Sequence, residues 1–123
     1  MDRDPLTEKV IGCAIEVHRT LGPGLLENVY QQALAYELSQ SGLSFELEVP
    51  LSVEYKKVHL ECGYRLDIVV ENSLIVELKS VDELAGIHTA QLLTYLKLSN
   101  IKTGLLLNFN AELLVDGIKR VSN

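Results

Sequence analysis

The pattern of apolar and polar positions divides the chain into helical and extended stretches. Asp4-Pro5 is a plausible helix start, and Leu6, Val10, Ala14, Val17 and Leu21 follow at helical spacing, which predicts an amphipathic first helix. It must stop at Leu21-Gly22-Pro23-Gly24, where two glycines and a proline break the pattern. A second helix is expected from about Leu25 to Ser39, with a core stripe of Leu26, Val29, Ala33 and Leu34, and Tyr30 and Leu38 nearby. From Phe45 the pattern turns to short strands. FELEVPLSVEY alternates apolar and acidic residues around Pro50, which suits an edge strand or a junction. Lys56-Lys57 marks a turn, and Val58 to Cys62 leads into a hairpin.

That hairpin, GYRLDIVVENSLIVELKS from Gly63 to Ser80, is the stretch around which the rest is arranged. Runs of Val, Ile and Leu flank Glu71, Asn72 and Ser73, the composition of two strands and a short turn. Centring the turn on Asn72 sets Leu66 against Leu78, Ile68 against Val76 and Val70 against Leu74, one wholly apolar face. A two-residue turn would slip the register and mix the faces, so a three-residue turn or a bulge is expected. The other face then opposes Asp67 to Glu77 and Arg65 to Lys79. Opposed Cβ atoms lie about 4.5–5.5 Å apart, so two carboxylates converge. Their repulsion, about 1 kcal/mol in water and about 4 at an effective dielectric near 20, calls for an offset. A divalent cation would supply one, since Mg²⁺ is usually held by one or two carboxylates. Arg65 and Lys79 neutralising a solvated face would supply another.

A third helix is expected from about Leu84 to Leu98, with an apolar stripe of Leu84, Ile87, Leu92 and Leu96. His88, Gln91 and Tyr95 share a neighbouring ridge that could carry hydrogen bonds or simply be exposed. TGLLLNF suits a strand buried on both faces, and a closing strand or helix falls between Glu112 and Val121. This order predicts an α/β fold with a mixed central β-sheet flanked by helices. The strands Leu74–Lys79 and Thr103–Phe109 would pair in parallel through the third helix, a right-handed crossover.

Composition and charge narrow the function. At 123 residues, 47% hydrophobic and 23% charged, the chain suits one globular domain, 1–123. A net charge of −6 argues against coating nucleic acid by bulk electrostatics, so any such contact must be local. Lys56-Lys57, a solvated turn on the simplest reading, are the only adjacent lysines that could meet a phosphate backbone. Cys13 and Cys62 form no CxxC pattern and read as small core hydrophobes in a reducing, cytoplasmic setting. No apolar run reaches the length of a membrane span, and the N-terminal residues lack the features of a signal peptide. His18 reads as a packing or capping residue. Glu27 sits in the first turn of its helix, where the dipole favours a carboxylate, or else points at the site of Asp67 and Glu77.

The ordered set Arg65-Leu-Asp67 and Glu77-Leu-Lys79 resembles the PD-(D/E)XK nuclease superfamily, with Leu66 in the place of the proline. Gly24-Leu-Leu-Glu27-Asn-Val-Tyr30 is similar to the motif that names the GxxExxY family, and Gln91-x-x-x-Tyr95 to that of RecB-like nucleases. VHRTLGPG, HTAQLLTYL and GLLLNF extend the likeness over nearly the whole chain. The resemblance implies a restriction-endonuclease-like core and a metal-dependent nuclease acting on DNA or RNA. Asp67 and Glu77 would hold Mg²⁺ or Mn²⁺, with Glu27 completing or orienting the metal shell. Lys79 would orient the attacking water, and Gln91, Tyr95, Arg65, Tyr30 and His88 would meet substrate. A homodimer is one arrangement in which so small a chain would grip a duplex. An inactive nuclease-fold module binding nucleic acid or a protein partner is the alternative.

Overall fold

The structure, a computed structural model, describes residues 4–61 and 63–123; Cys62 lies outside the described residues. Helix α1 spans Pro5–Leu21 and α2 Glu27–Gln40, followed by strands β1 (Phe45–Pro50), β2 (Val53–Tyr55), β3 (Val58–Leu60), β4 (Arg65–Val70) and β5 (Leu74–Lys79). Helix α3 (Gly86–Ser99), β6 (Thr103–Asn108), a 3₁₀ turn at Leu114–Gly117 and β7 (Ile118–Ser122) complete the chain. The main sheet has the order β1-β4-β5-β6-β7, and β2 and β3 form a separate two-stranded ribbon. β5 and β6 are parallel and the remaining pairs antiparallel. This is the mixed α/β sheet flanked by helices that the pattern predicts, consistent with a restriction-endonuclease-like fold.

Local chemistry sets the ends of the elements. The Asp4 carboxylate caps α1 by accepting from the Thr7 N–H at 2.7 Å, Pro5 occupies the first turn, and Gly22 at φ 72° stops the helix. At the other break, the Tyr30 hydroxyl donates to Gly22 O at 2.6 Å and accepts from the Leu25 N–H at 3.0 Å, fixing the Gly-Pro-Gly loop to α2. Glu71-Asn72-Ser73 is the three-residue turn, with Ile68 opposite Val76 and Val70 opposite Leu74. Edge position of β1 agrees with its closing Pro50.

Two apolar layers sandwich the sheet. On one face α1 and α2 cover Ile68, Val70, Leu74, Val76, Leu78, Leu105 and Leu107. On the other, α3 covers Leu66, Val69, Ile75 and Leu106 with Leu92, Tyr95 and Leu96. Gly104 permits that approach, because a Cβ there would stand 2.9 Å from the Leu92 methyls. Four packing expectations are corrected. Leu66 does not share the face of Leu78; it lies on the α3 side, because β4 changes face across Asp67, where its ladder with β5 stops. Leu26, Val29 and Ile87 are exposed rather than in core stripes, since α2 buries Tyr30, Leu34 and Leu38 and α3 buries Leu92, Tyr95 and Leu96. His18 is a packing residue, its Nε2 2.8 Å from Ala111 O, and Cys13 is a buried core residue.

Candidate active site

The site begins where β4 and β5 part. Backbone pairing between them runs from Val70–Leu74 to Ile68–Val76 and then ends. Beyond it, side chains take over the hydrogen bonds. The Asp67 N–H donates to Glu77 Oε2 and the Leu78 N–H donates to Asp67 Oδ2, each at 2.8 Å. Each carboxylate thus bridges to the opposite strand and, among the described residues, keeps its second oxygen without a protein donor. The two acids are close enough to interact, although they lie beyond the last backbone pair of the hairpin ladder. Arg65 instead sits opposite Pro50 of β1, exposed, with Nη1 3.4 Å from Glu48 O.

The environment makes ionisation costly. Glu77 is 5% exposed, and burial first, then the nearby Asp67, push its pKa up to about 8 against the Asp67 N–H and Lys79. Burial likewise raises Asp67, opposed by the Leu78 N–H and Lys79 and reinforced by Glu48 and Glu27. Beside Asp67 opens a cavity of about 160 Å³ lined by Glu27, Asn28, Gln31, Glu48 and Leu78. Its walls carry three carboxylates and no cation, and half-buried Lys79 stands at the end of β5 next to both acids.

Glu27 belongs to this cavity and also fixes the chain leaving β5. Its Oε2 accepts from the Ser80 N–H at 3.2 Å, while Ser80 Oγ donates to Leu25 O at 2.9 Å. Buried Asn108 acts on the same segment: its side chain donates to Val81 O at 2.9 Å and accepts from the Val81 N–H at 3.1 Å, and the Phe109 N–H donates to Lys79 O. Lys79 is therefore held from both sides through its backbone.

Two further residues escape the sequence reading. Glu48 falls between the Leu47–Ile68 and Val49–Leu66 pairs of the β1–β4 register at φ 52°, a left-handed conformation inside a strand. Gln31 Nε2 donates to Glu48 Oε2 at 2.7 Å and to Asp67 O at 3.0 Å, tying α2 to both strands. The alternation Glu46-Leu47-Glu48 beside Pro50 is the one signal that could have suggested Glu48. Nothing in the spacing distinguishes Gln31 from Gln32.

The residues expected at the substrate side do not gather here. Tyr30 is fully buried, stacked on Phe109 at 4.5 Å with its hydroxyl engaged by the Gly22–Leu25 loop, so it supports the loop instead of facing a substrate. Tyr95 is packed on the α3 face near Tyr64, and His88 Nδ1 accepts from the Ala85 N–H at the start of α3. Gln91, half-buried on the same helix, does not line the Asp67 cavity.

A strand-hairpin bearing Asp67, Glu77 and Lys79, followed by a helix and a parallel strand, is the frame in which comparison with known families becomes decisive. The model of the PD-(D/E)XK nuclease superfamily matches residues 4–121. The chain belongs to the PD-(D/E)XK nuclease superfamily. Comparison with curated proteins and with solved structures gives no match. Nucleases of the PD-(D/E)XK superfamily generally use divalent metal ions. The donors present suit one: Asp67 and Glu77 offer hard oxygens, and a hard cation takes one or two carboxylates and keeps waters for its other positions. Among the described residues, no three His, Cys, Asp or Glu side chains form a ready cluster; Glu27 lines the cavity beside Asp67 and accepts from the Ser80 N–H. Also among the described residues, no helix is long and apolar enough to cross a membrane.

Proposed function

We propose that this chain is a divalent-metal-dependent nuclease that hydrolyses phosphodiester bonds in nucleic acid. The observation that carries the reading is the reciprocal Asp67–Glu77 arrangement, a half-buried and a buried acid set together at the cost of their ionisation beside an acidic cavity. Such perturbed pairs concentrate where function demands them. Asp67 and Glu77 would hold Mg²⁺ or Mn²⁺. Bound there, the ion would polarise the scissile phosphoryl group and supply hydroxide near neutral pH. Lys79 would orient the attacking water and stabilise charge on the phosphoryl oxygens, its position set by Asn108 and Glu27 through the backbone on either side. Arg65, exposed two residues before Asp67, would meet a flanking phosphate. Gln91, Tyr95, His88 and Tyr30 are given no substrate contact in this reading.

Cleavage of labelled duplex DNA, single-stranded DNA and RNA with Mg²⁺, with Mn²⁺ and with chelator tests it. Hydrolysis of at least one substrate should require the divalent ion and fall by at least about a hundredfold in Lys79→Ala and Asp67→Ala. Metal-independent cleavage, or cleavage equal in all three proteins, would remove these residues from the reaction. Nucleic-acid binding without any cleavage would favour the inactive module.

A further inference from the structure

The β2–β3 ribbon has no place in the site, and its construction is unusual. It stands apart from the main sheet, pairing Val53 with Leu60, Glu54 with His59 and Tyr55 with Val58. Only Val53 of these six is even half-buried. One ribbon face is apolar, formed by Val53, Tyr55, Val58 and Leu60, while Glu54 and His59 share the other, where His59 also faces Glu61 at 3.6 Å. Lys56 and Lys57 form the two-residue tip, at φ 50° and 71°. Positive φ at both positions defines a type I′ turn, which favours Asn-Gly and disfavours any residue with a long side chain. Two exposed lysines occupy it instead, with the Lys56 ammonium 5.4 Å from the centre of the Tyr55 ring.

The ribbon's base is joined to the site. The Leu51 N–H donates to Tyr64 O at 3.0 Å, directly beyond the Pro50–Arg65 pair, and Asp67 follows two residues later. Lys57 precedes Asp67 by ten residue steps, so even a fully stretched chain would set it at most about 33 Å from the acid, within one turn of a B-form duplex at about 34 Å.

We propose that the β2–β3 ribbon is a DNA-contacting arm, which sets Lys56 and Lys57 against the phosphates of the duplex whose backbone enters the Asp67–Glu77 site. This rests on the nuclease reading above and names its substrate. Charge complementarity selects the occupant: in a chain of net charge −6, a polyanion must be met locally, and these are its only adjacent lysines. Shape selects duplex DNA, whose major groove, about 12 Å wide, admits a two-stranded ribbon. The deep, narrow major groove of A-form RNA does not. Tyr55 and Val58 then give the apolar face a base-edge or sugar surface to lie on.

The test is Lys56→Asn/Lys57→Gly, which installs the residues the turn prefers and so keeps the ribbon folded. Anisotropy of a fluorescein-labelled DNA duplex two turns long, in chelator to prevent cleavage, gives affinity across a salt series. The variant should bind at least about tenfold more weakly at low salt, with a log K against log salt slope shallower by about 1.8, the value for two phosphates. Lys97→Asn/Lys119→Asn, which removes the same charge from exposed positions elsewhere, should retain wild-type affinity and slope. Wild-type affinity in the tip variant, equal loss in the control, equal affinity for an RNA duplex, or no duplex binding by the wild type would each overturn the arm. Asp67→Ala separates the two readings: duplex binding that survives in Asp67→Ala and fails in the tip variant supports the arm whether or not the site cuts.

Discussion

Glu77→Gln should make the protein more stable at pH 8 than the wild type, and the gain should vanish in acid. In the folded chain the Glu77 pKa stands near 8 against an ordinary 4.5. Below about pH 4.5 folded and unfolded chains both hold the proton, and nothing is lost. Between pH 4.5 and 8 the unfolded chain releases it while the folded chain keeps it, so the unfolded state is progressively favoured. Above about 8 the penalty is constant. At 1.36 kcal/mol per pKa unit the loss approaches 5 kcal/mol as an upper bound, a large share of the 5–15 kcal/mol that holds a typical domain together. Glutamine keeps an oxygen for the Asp67 N–H and has no proton to lose. Urea unfolding of both proteins from pH 5 to 9 measures the difference. Wild-type stability should fall relative to Glu77→Gln as pH rises to 8, and saturating Mg²⁺ should restore much of it in the wild type alone. A difference independent of pH would refute the argument, because Glu77 would then be ionised in the folded chain as readily as in the unfolded one.

Other expectations follow from the supports of the site. Asn108→Ala removes both side-chain hydrogen bonds to Val81 in a buried position, and should cost roughly 2–4 kcal/mol in denaturant unfolding. Tyr30→Phe leaves the Leu25 N–H and Gly22 O without their partner. It should cost about 1–3 kcal/mol and raise amide exchange at Leu25 and Ser80, since the same loop carries the Leu25–Ser80 bond.

Much of this architecture is legible in the sequence because period-2 alternation leaves little freedom. Ile68, Val70, Leu74 and Val76 can share a face only if the turn takes three residues, and it does. Gly104-Leu105-Leu106-Leu107 has no polar position to expose, and β6 is buried on both sides there. Legibility fails where side chains replace the backbone ladder. Once Asp67 and Glu77 take over the bonds between strands, alternation no longer determines which way Leu66 faces, and it falls on the α3 side. Glu48 escapes for a related reason, since a left-handed residue in mid-strand breaks the pattern from which facing is read. In α2, Leu26 and Val29 fit a helical stripe as well as Tyr30 does. The choice between them is made by Phe109, some eighty residues away, on which Tyr30 stacks. Glu27 and Tyr30, one turn apart, therefore do different work: Glu27 lines the cavity beside Asp67, and Tyr30 holds the loop before it.

Calorimetric titration of Mn²⁺ into the wild type and Asp67→Ala, repeated at pH 7 in buffers of different ionisation enthalpy, addresses the metal site itself. The account predicts saturable binding in the wild type, absent from Asp67→Ala, with release of about one proton, because Glu77 must give up its proton to become a ligand. Binding of equal strength in both proteins, or binding without proton release, would contradict a metal held between Asp67 and Glu77.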